Sequence, residues 1–69
     1  MKLSARNILK GKVAGIEQGM ITAKVRVDIG GGVVITSIIS KEAVGDLGLK
    51  VEDEAIAVIK ATEVMIAKP

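Results

Sequence analysis

The sequence predicts an all-β fold, a five-stranded OB-like Greek-key barrel with one short helix between strands 3 and 4. Three features point to it. Over residues 20–29 apolar and polar positions alternate, with Ile21, Ala23, Val25, Val27 and Ile29 on one face and Thr22, Lys24, Arg26 and Asp28 on the other. That period of two marks a half-buried strand. Gly30-Gly31-Gly32 separates this run from residues 33–39, whose nearly continuous apolar character suits a strand covered on both faces. Finally, Ser40 and Gly48 bracket residues 41–47 as an N-cap and a left-handed C-cap bracket a short helix.

The elements follow in order. Residues 8–16 form a first strand, and Glu17-Gln18-Gly19 link it to the second as a hairpin, with Gly19 suited to positive φ. Residues 33–39 are the third strand. The helix over 41–47 is weakened by Gly45. Residues 49–54 turn the chain, 55–59 make the fourth strand, Ala61-Thr62-Glu63 break it, and 64–67 make a short fifth. There is no internal repeat and no linker, so one domain is expected to occupy residues 1–69.

Composition narrows the function. The chain has 69 residues, 49% of them apolar, with no aromatic residue, cysteine or histidine. Without His or Cys there is no Ser-His-Asp or Cys-His system, no thiolate and no zinc, copper, haem or iron–sulfur site. An enzyme would have to rest on an unsupported pairing such as Ser37 with a lysine, so none is expected. A chain of this length buries a thin core and has no disulfide to brace it, which leaves oligomerisation as the common device. Val and Ile supply 19 of the 69 positions, and subunit interfaces are where such an excess goes. No apolar run approaches a membrane span, and Met1-Lys2-Leu3 leads into Ser4-Ala5-Arg6-Asn7 rather than a signal core, so a cytoplasmic protein is expected.

Net charge is only +2. Residues 1–16 hold Lys2, Arg6, Lys10 and Lys12 and no acid, whereas Glu52-Asp53-Glu54 form an acidic run. An OB-like barrel invites comparison with single-strand nucleic acid binders, but those stack bases on aromatic rings and track the backbone with a basic groove. Neither is present, and no nucleic-acid partner is expected.

What remains is hydroxyls, ammonium and guanidinium groups, glycines and backbone amides, the donors of a small-oxyanion site. Four segments carry them: Ser4-Ala5-Arg6-Asn7 near the start, Lys60-Ala61-Thr62 where the fourth strand ends, Thr36-Ser37 inside an apolar strand, and the turn Gln18-Gly19-Met20. Each has a plainer alternative. Ser4 starts a strand, Arg6 pairs with an acid, Lys60 is a solvated strand end, Thr36 and Ser37 bond neighbouring backbone, and Gly19 is a hairpin glycine. Spacing alone does not choose between them.

Ser4-Ala5-Arg6-Asn7 followed by Leu9-Lys10-Gly11-Lys12-Val13, then Thr36-Ser37-Ile38-Ile39-Ser40 and Ala57-Val58-Ile59-Lys60-Ala61-Thr62-Glu63-Val64-Met65, resembles the molbindins, the freestanding Mop-type molybdate-binding family. The resemblance runs in order through essentially the whole chain. It implies an OB-like subunit in a homo-oligomer, a hexamer built as a trimer of dimers, that binds molybdate or tungstate between subunits for storage and homeostasis, without a cofactor. It implies a main oxyanion pocket of Ser4, Ala5, Arg6, Lys60, Ala61 and Thr62, with Ser37 as a further member, and a second site at Gln18, Gly19 and Met20. The same module serves as the ligand-sensing domain of molybdate-responsive regulators and transporter ATPases, the alternative setting for this chain. Two loops depart from the family pattern: Val33 stands where a polar residue is expected after the glycines, and the turn Val51-Glu52-Asp53-Glu54 lacks a glycine.

Overall fold

The computed structural model describes residues 2–69. Strands β1 (Asn7–Gln18), β2 (Thr22–Gly30), β3 (Val33–Ser40) and β4 (Glu54–Ile59) form one antiparallel sheet in the order β3-β2-β1-β4. Helix α1 (Lys41–Leu47) lies between β3 and β4 in the chain, and a 3-10 turn (Ala61–Glu63) follows β4. No helix is long and apolar enough to cross a membrane.

The caps define α1 as the sequence predicts. Ser40 Oγ accepts the Ala43 N–H at 2.9 Å, and Gly48 takes φ 62°. Gly48 N–H then donates to the Gly45 carbonyl and Leu49 N–H to that of Val44, both at 3.1 Å. The β2–β3 hairpin turns on Gly30, Gly31 and Gly32, all at positive φ, with the Asp28 carboxylate accepting the Gly30 N–H at 2.8 Å.

The sheet curls because β1 serves two partners in succession. Its first half pairs with β4, from Asn7↔Ile59 to Lys12↔Glu54, and its second half with β2, from Lys12↔Asp28 to Gln18↔Ala23. A register shift between Val13 and Gly15 marks a bulge, which bends a strand and increases its twist. Gly11 stands where the bend brings β2 close, and a Cβ there would collide with the Asp28 carbonyl oxygen.

Two expectations are corrected. The fifth strand over residues 64–67 does not form, so the sheet has four strands and is open between β3 and β4. Val64 has extended backbone, φ −94° and ψ 121°, but a strand needs an edge beside it. No such edge lies alongside: Met65 and Ile66 are 94% and 89% exposed. The first hairpin link also shifts. Strand β1 runs on through Glu17 and Gln18, the link is residues 19–21, and Gly19 is not among the residues at positive φ. Its N–H instead closes the turn on the Thr22 carbonyl at 2.8 Å.

The core is as thin as the length implies: Val13, Ala23, Val25, Val27 and Val44 are buried, with Ile16, Ile29, Ile39, Leu49 and Ala55 packed against them. A folded monomer of this mass exposes roughly 4,100 Å² by surface–mass scaling. This chain, at 7.1 kDa, exposes 5555 Å². The surplus is apolar in large part, since Met20, Ile21, Leu47, Met65 and Ile66 are all exposed.

The glycine missing from the turn before β4 leaves a mark on the backbone. Glu52, bonded to β1 through its N–H to the Val13 carbonyl at 2.8 Å, sits at φ 79°, where an L side chain is strained. Relief of that strain outweighs the extra entropy of glycine in the unfolded chain. Glu52→Gly should therefore raise stability by about 0.5–1 kcal/mol; a lower denaturation midpoint at the same protein concentration would contradict this.

Candidate functional site

The β1–β4 register brings two donor-bearing segments to one end of the sheet. Asn7 faces Ile59, so residues 4–6, which enter β1, and residues 60–62, which leave β4, emerge side by side. A side-chain bond ties the two: Asn7 Nδ2 donates to the Ile59 carbonyl at 3.1 Å. In the sequence Asn7 reads only as one more amide in its segment. Its role as a clamp depends on a residue 52 positions away, which no local pattern signals.

Beyond this clamp the ladder stops, and backbone donors leave it. In the 3-10 turn, Glu63 N–H donates to the Lys60 carbonyl at 2.9 Å and Val64 N–H to that of Ala61 at 3.4 Å. The N–H groups of Ala61 and Thr62 open the turn and have no partner within it. Ser4, Arg6, Lys60, Ala61 and Thr62 are exposed and Ala5 is half-buried.

Electrostatically the junction is open to an anion. Among the described residues the ion pairs are Lys10 with Glu54 and Glu17 with Lys24 and Arg26, so neither Arg6 nor Lys60 is neutralised. Pairing of Arg6 with an acid, the plainer alternative, is not realised. Glu54 starts β4 and Ile59 ends it, five residues or roughly 16 Å apart, beyond a Debye length at physiological salt. The one acid in the junction itself is Glu63, exposed in the turn.

Ser37 lies elsewhere. It is half-buried on β3 and, with Thr36, supplies the hydroxyls of an otherwise apolar cleft of about 380 Å³ between β3 and β4. The β4 wall of that cleft ends at Ile59, one residue before Lys60, so Ser37 borders the junction's cleft without joining the cluster.

The proposed second set is only partly assembled. Gln18 and Gly19 line a shallow depression with Glu17, Thr22, Lys24 and Ile38. Met20 lies in a different one with Ile21, Ser40, Lys41 and Glu42. The Gly19 N–H is already committed to Thr22. Glu17, whose carboxyl a hydrogen bond from Arg26 at 3.1 Å and the nearby Lys24 charge hold below the ordinary carboxylate range, keeps a negative charge beside the first depression. Gly15 makes room for that pairing, because a Cβ there would meet the Arg26 guanidinium.

Fold and junction together define a small curled-sheet protein with hydroxyl, cationic and amide donors clustered at one end. Residues 3–66 match the TOBE domain family. The chain is 58% identical over 66 residues to a probable molybdenum-pterin-binding protein of Haemophilus influenzae, covering 96% of each. Its fold matches MopII of Clostridium pasteurianum with a TM-score of 0.90 at 52% identity, covering 97% of this chain and all of that one. It also matches a molybdate binding protein of Sporomusa ovata, with a TM-score of 0.92 at 37% identity over 99% of this chain and all of that one. The chain therefore belongs to the TOBE-domain family and, within it, to the molybdenum-pterin-binding Mop proteins.

Proposed function

We propose that this protein binds molybdate or tungstate at the junction of residues 4–6 with residues 60–62, in a homo-oligomer that stores the oxyanion in the cytoplasm. The observation that carries this is the Asn7↔Ile59 register, which puts a guanidinium, an ammonium, two hydroxyls and free backbone amides at one end of the sheet. The names of the relatives agree with it.

The ligand is a tetrahedral dianion, held by hydrogen bonds and charge with no bond between metal and protein. Arg6 and Lys60 supply charge-assisted bonds, about twice as strong as neutral ones. Ser4, Thr62 and the N–H groups of Ala5 and Ala61 spread the remaining contacts over the other oxygens. On one chain all of these residues but the half-buried Ala5 are exposed. A second subunit over the junction excludes water, strengthens each contact and adds Ser37 from its cleft.

The surplus surface supports assembly. It amounts to roughly 1,400 Å² beyond the monomer expectation, whereas a standard interface covers about 800 Å² per partner. More than one kind of interface is thus accommodated, as a hexamer built as a trimer of dimers requires. Gln18, Gly19 and Met20 then belong to a second, weaker oxyanion position, completed only where copies meet.

Sulfate has the charge and shape of molybdate but is smaller, so a rigid pocket leaves its oxygens out of reach. Calorimetry with molybdate, tungstate and sulfate tests this. Heats from the first two and none from sulfate are expected; equal sulfate affinity, or no molybdate heat, overturns the reading.

A further inference from the structure

We infer that Asn7 is a positioning residue of the oxyanion junction: its side-chain amide fixes where the Arg6 and Lys60 donors stand relative to each other, acting through the Ile59 carbonyl. The inference rests on the site proposed above and names what holds that site in shape before a ligand arrives.

Three observations carry it. The first is a break in the pattern of β1. Its inward positions are Asn7, Leu9, Gly11 and Val13, half-buried or buried, while Ile8, Lys10 and Lys12 between them are exposed. Asn7 alone of the four inward residues has a polar side chain, and an amide in an apolar row is the kind of local exception that functional sites make. Second, the amide is in use. Asn7 Nδ2 donates to the Ile59 carbonyl at 3.1 Å across 52 positions, and among the described residues this is the one side-chain hydrogen bond that is not wholly exposed. Third, the bond stands next to both cations. Arg6 precedes Asn7 and Lys60 follows Ile59, just past the last rung of the β1–β4 ladder.

The rigidity of the peptide unit turns this contact into a direction. The Ile59 carbonyl and the Lys60 N–H lie in one plane and point opposite ways, so a bond that holds the first also aims the second. The next unit is held too, because the Lys60 carbonyl accepts the Glu63 N–H at 2.9 Å, which aims the Ala61 N–H away from that bond. With both flanking planes fixed, Lys60 is kept at φ −63° and ψ 142°, and its side chain leaves the backbone in one direction. Without Asn7 the turn, closed only on itself by Glu63, pivots at the fraying end of the ladder. Donors ordered in advance lose less entropy when they close on a ligand, so Asn7 contributes to affinity through preorganisation.

Asn7→Leu tests this on the 69-residue chain, since it nearly keeps the volume, removes the donor and suits the apolar row. Affinity and stability should then part company. The ligand-free melting temperature is expected to equal or exceed that of the wild type, while molybdate affinity by titration calorimetry falls about 3- to 10-fold, the loss of one neutral hydrogen bond. Amide exchange at Glu63, whose N–H closes the turn, should become at least three times faster in the ligand-free variant. If the leucine variant does not fold, Asn7→Ala, which cannot overpack, is read the same way. Wild-type affinity in the Asn7 variant beside a weakened Arg6→Ala overturns the positioning role and leaves the site standing. Wild-type affinity in both removes the site and the inference with it. Affinity lost with Glu63 exchange unchanged also overturns the inference, because the loss does not then pass through the turn. So does a fall in melting temperature of more than about 10 °C, roughly 2 kcal/mol for a domain of this size, which would make Asn7 a support of the fold and not of the site.

Discussion

Arg6→Ala and Lys60→Ala should each weaken molybdate binding by roughly 10- to 150-fold, the effect of losing a hydrogen bond to a charged group worth about 1.5–3 kcal/mol. Both residues are exposed and neither is in an ion pair among the described residues, so no ion pair is lost with them. The ligand-free melting temperature should stay within a few degrees. The pair is expected to act together, because two cations share one dianion, so the double variant should bind less weakly than the product of the single losses. Titration calorimetry on the three variants measures this. Unchanged affinity in both single variants would remove the junction as the site, even if the protein binds molybdate elsewhere.

Gly11→Ala should be the most damaging single substitution outside the junction. A methyl group at this position meets the Asp28 carbonyl, which is backbone and cannot swing aside. Relief requires moving β2 away from β1 at the point where β1 changes partner, between its β4 and β2 ladders. Overpacking of a well-fitted contact costs about 1–3 kcal/mol, and a backbone collision falls at the upper end. For a domain of this size about 3 kcal/mol lowers the melting temperature by roughly 12–24 °C. Thermal unfolding at a fixed protein concentration checks it, since the proposed assembly would itself add stability. A melting temperature within two degrees of the wild type would show that β1 and β2 are not held as closely as described.

The parts of this molecule legible in its sequence are those written locally. Alternation over residues 20–29 marks β2, and Ser40 with Gly48 marks both ends of α1. The absence of an expected glycine at 51–54 anticipates an irregular turn and appears as the positive φ of Glu52. What was not legible depends on pairing. Residues 64–67 have the alternation of a strand, yet periodicity records which side chains share a face and not which edge they meet. The extension of β1 through Glu17 and Gln18 was hidden because an exposed strand end needs no apolar residue. Composition marked residues 4–7 and 60–62 separately as donor-rich, and the family resemblance grouped them. Why they meet is visible only in the Asn7↔Ile59 register and the bond that fixes it. The same register leaves Ser37 on the far side of the sheet order, at a cleft that one chain leaves open.

A scant core and an open donor cluster thus have one physical remedy, a second copy. In the proposed oligomer, assembly would cover apolar surface that a chain of this length cannot bury by itself and would enclose the donors at its junction. A ligand bound between subunits stabilises the assembly in return by mass action. The measurement that bears on this most directly is a native mass spectrum recorded with and without molybdate, which counts subunits and oxyanions on the same particle. A hexamer that gains a discrete number of molybdate ions and resists dissociation when loaded is the expected result. A monomer, or an oligomer whose mass molybdate does not change, would contradict it.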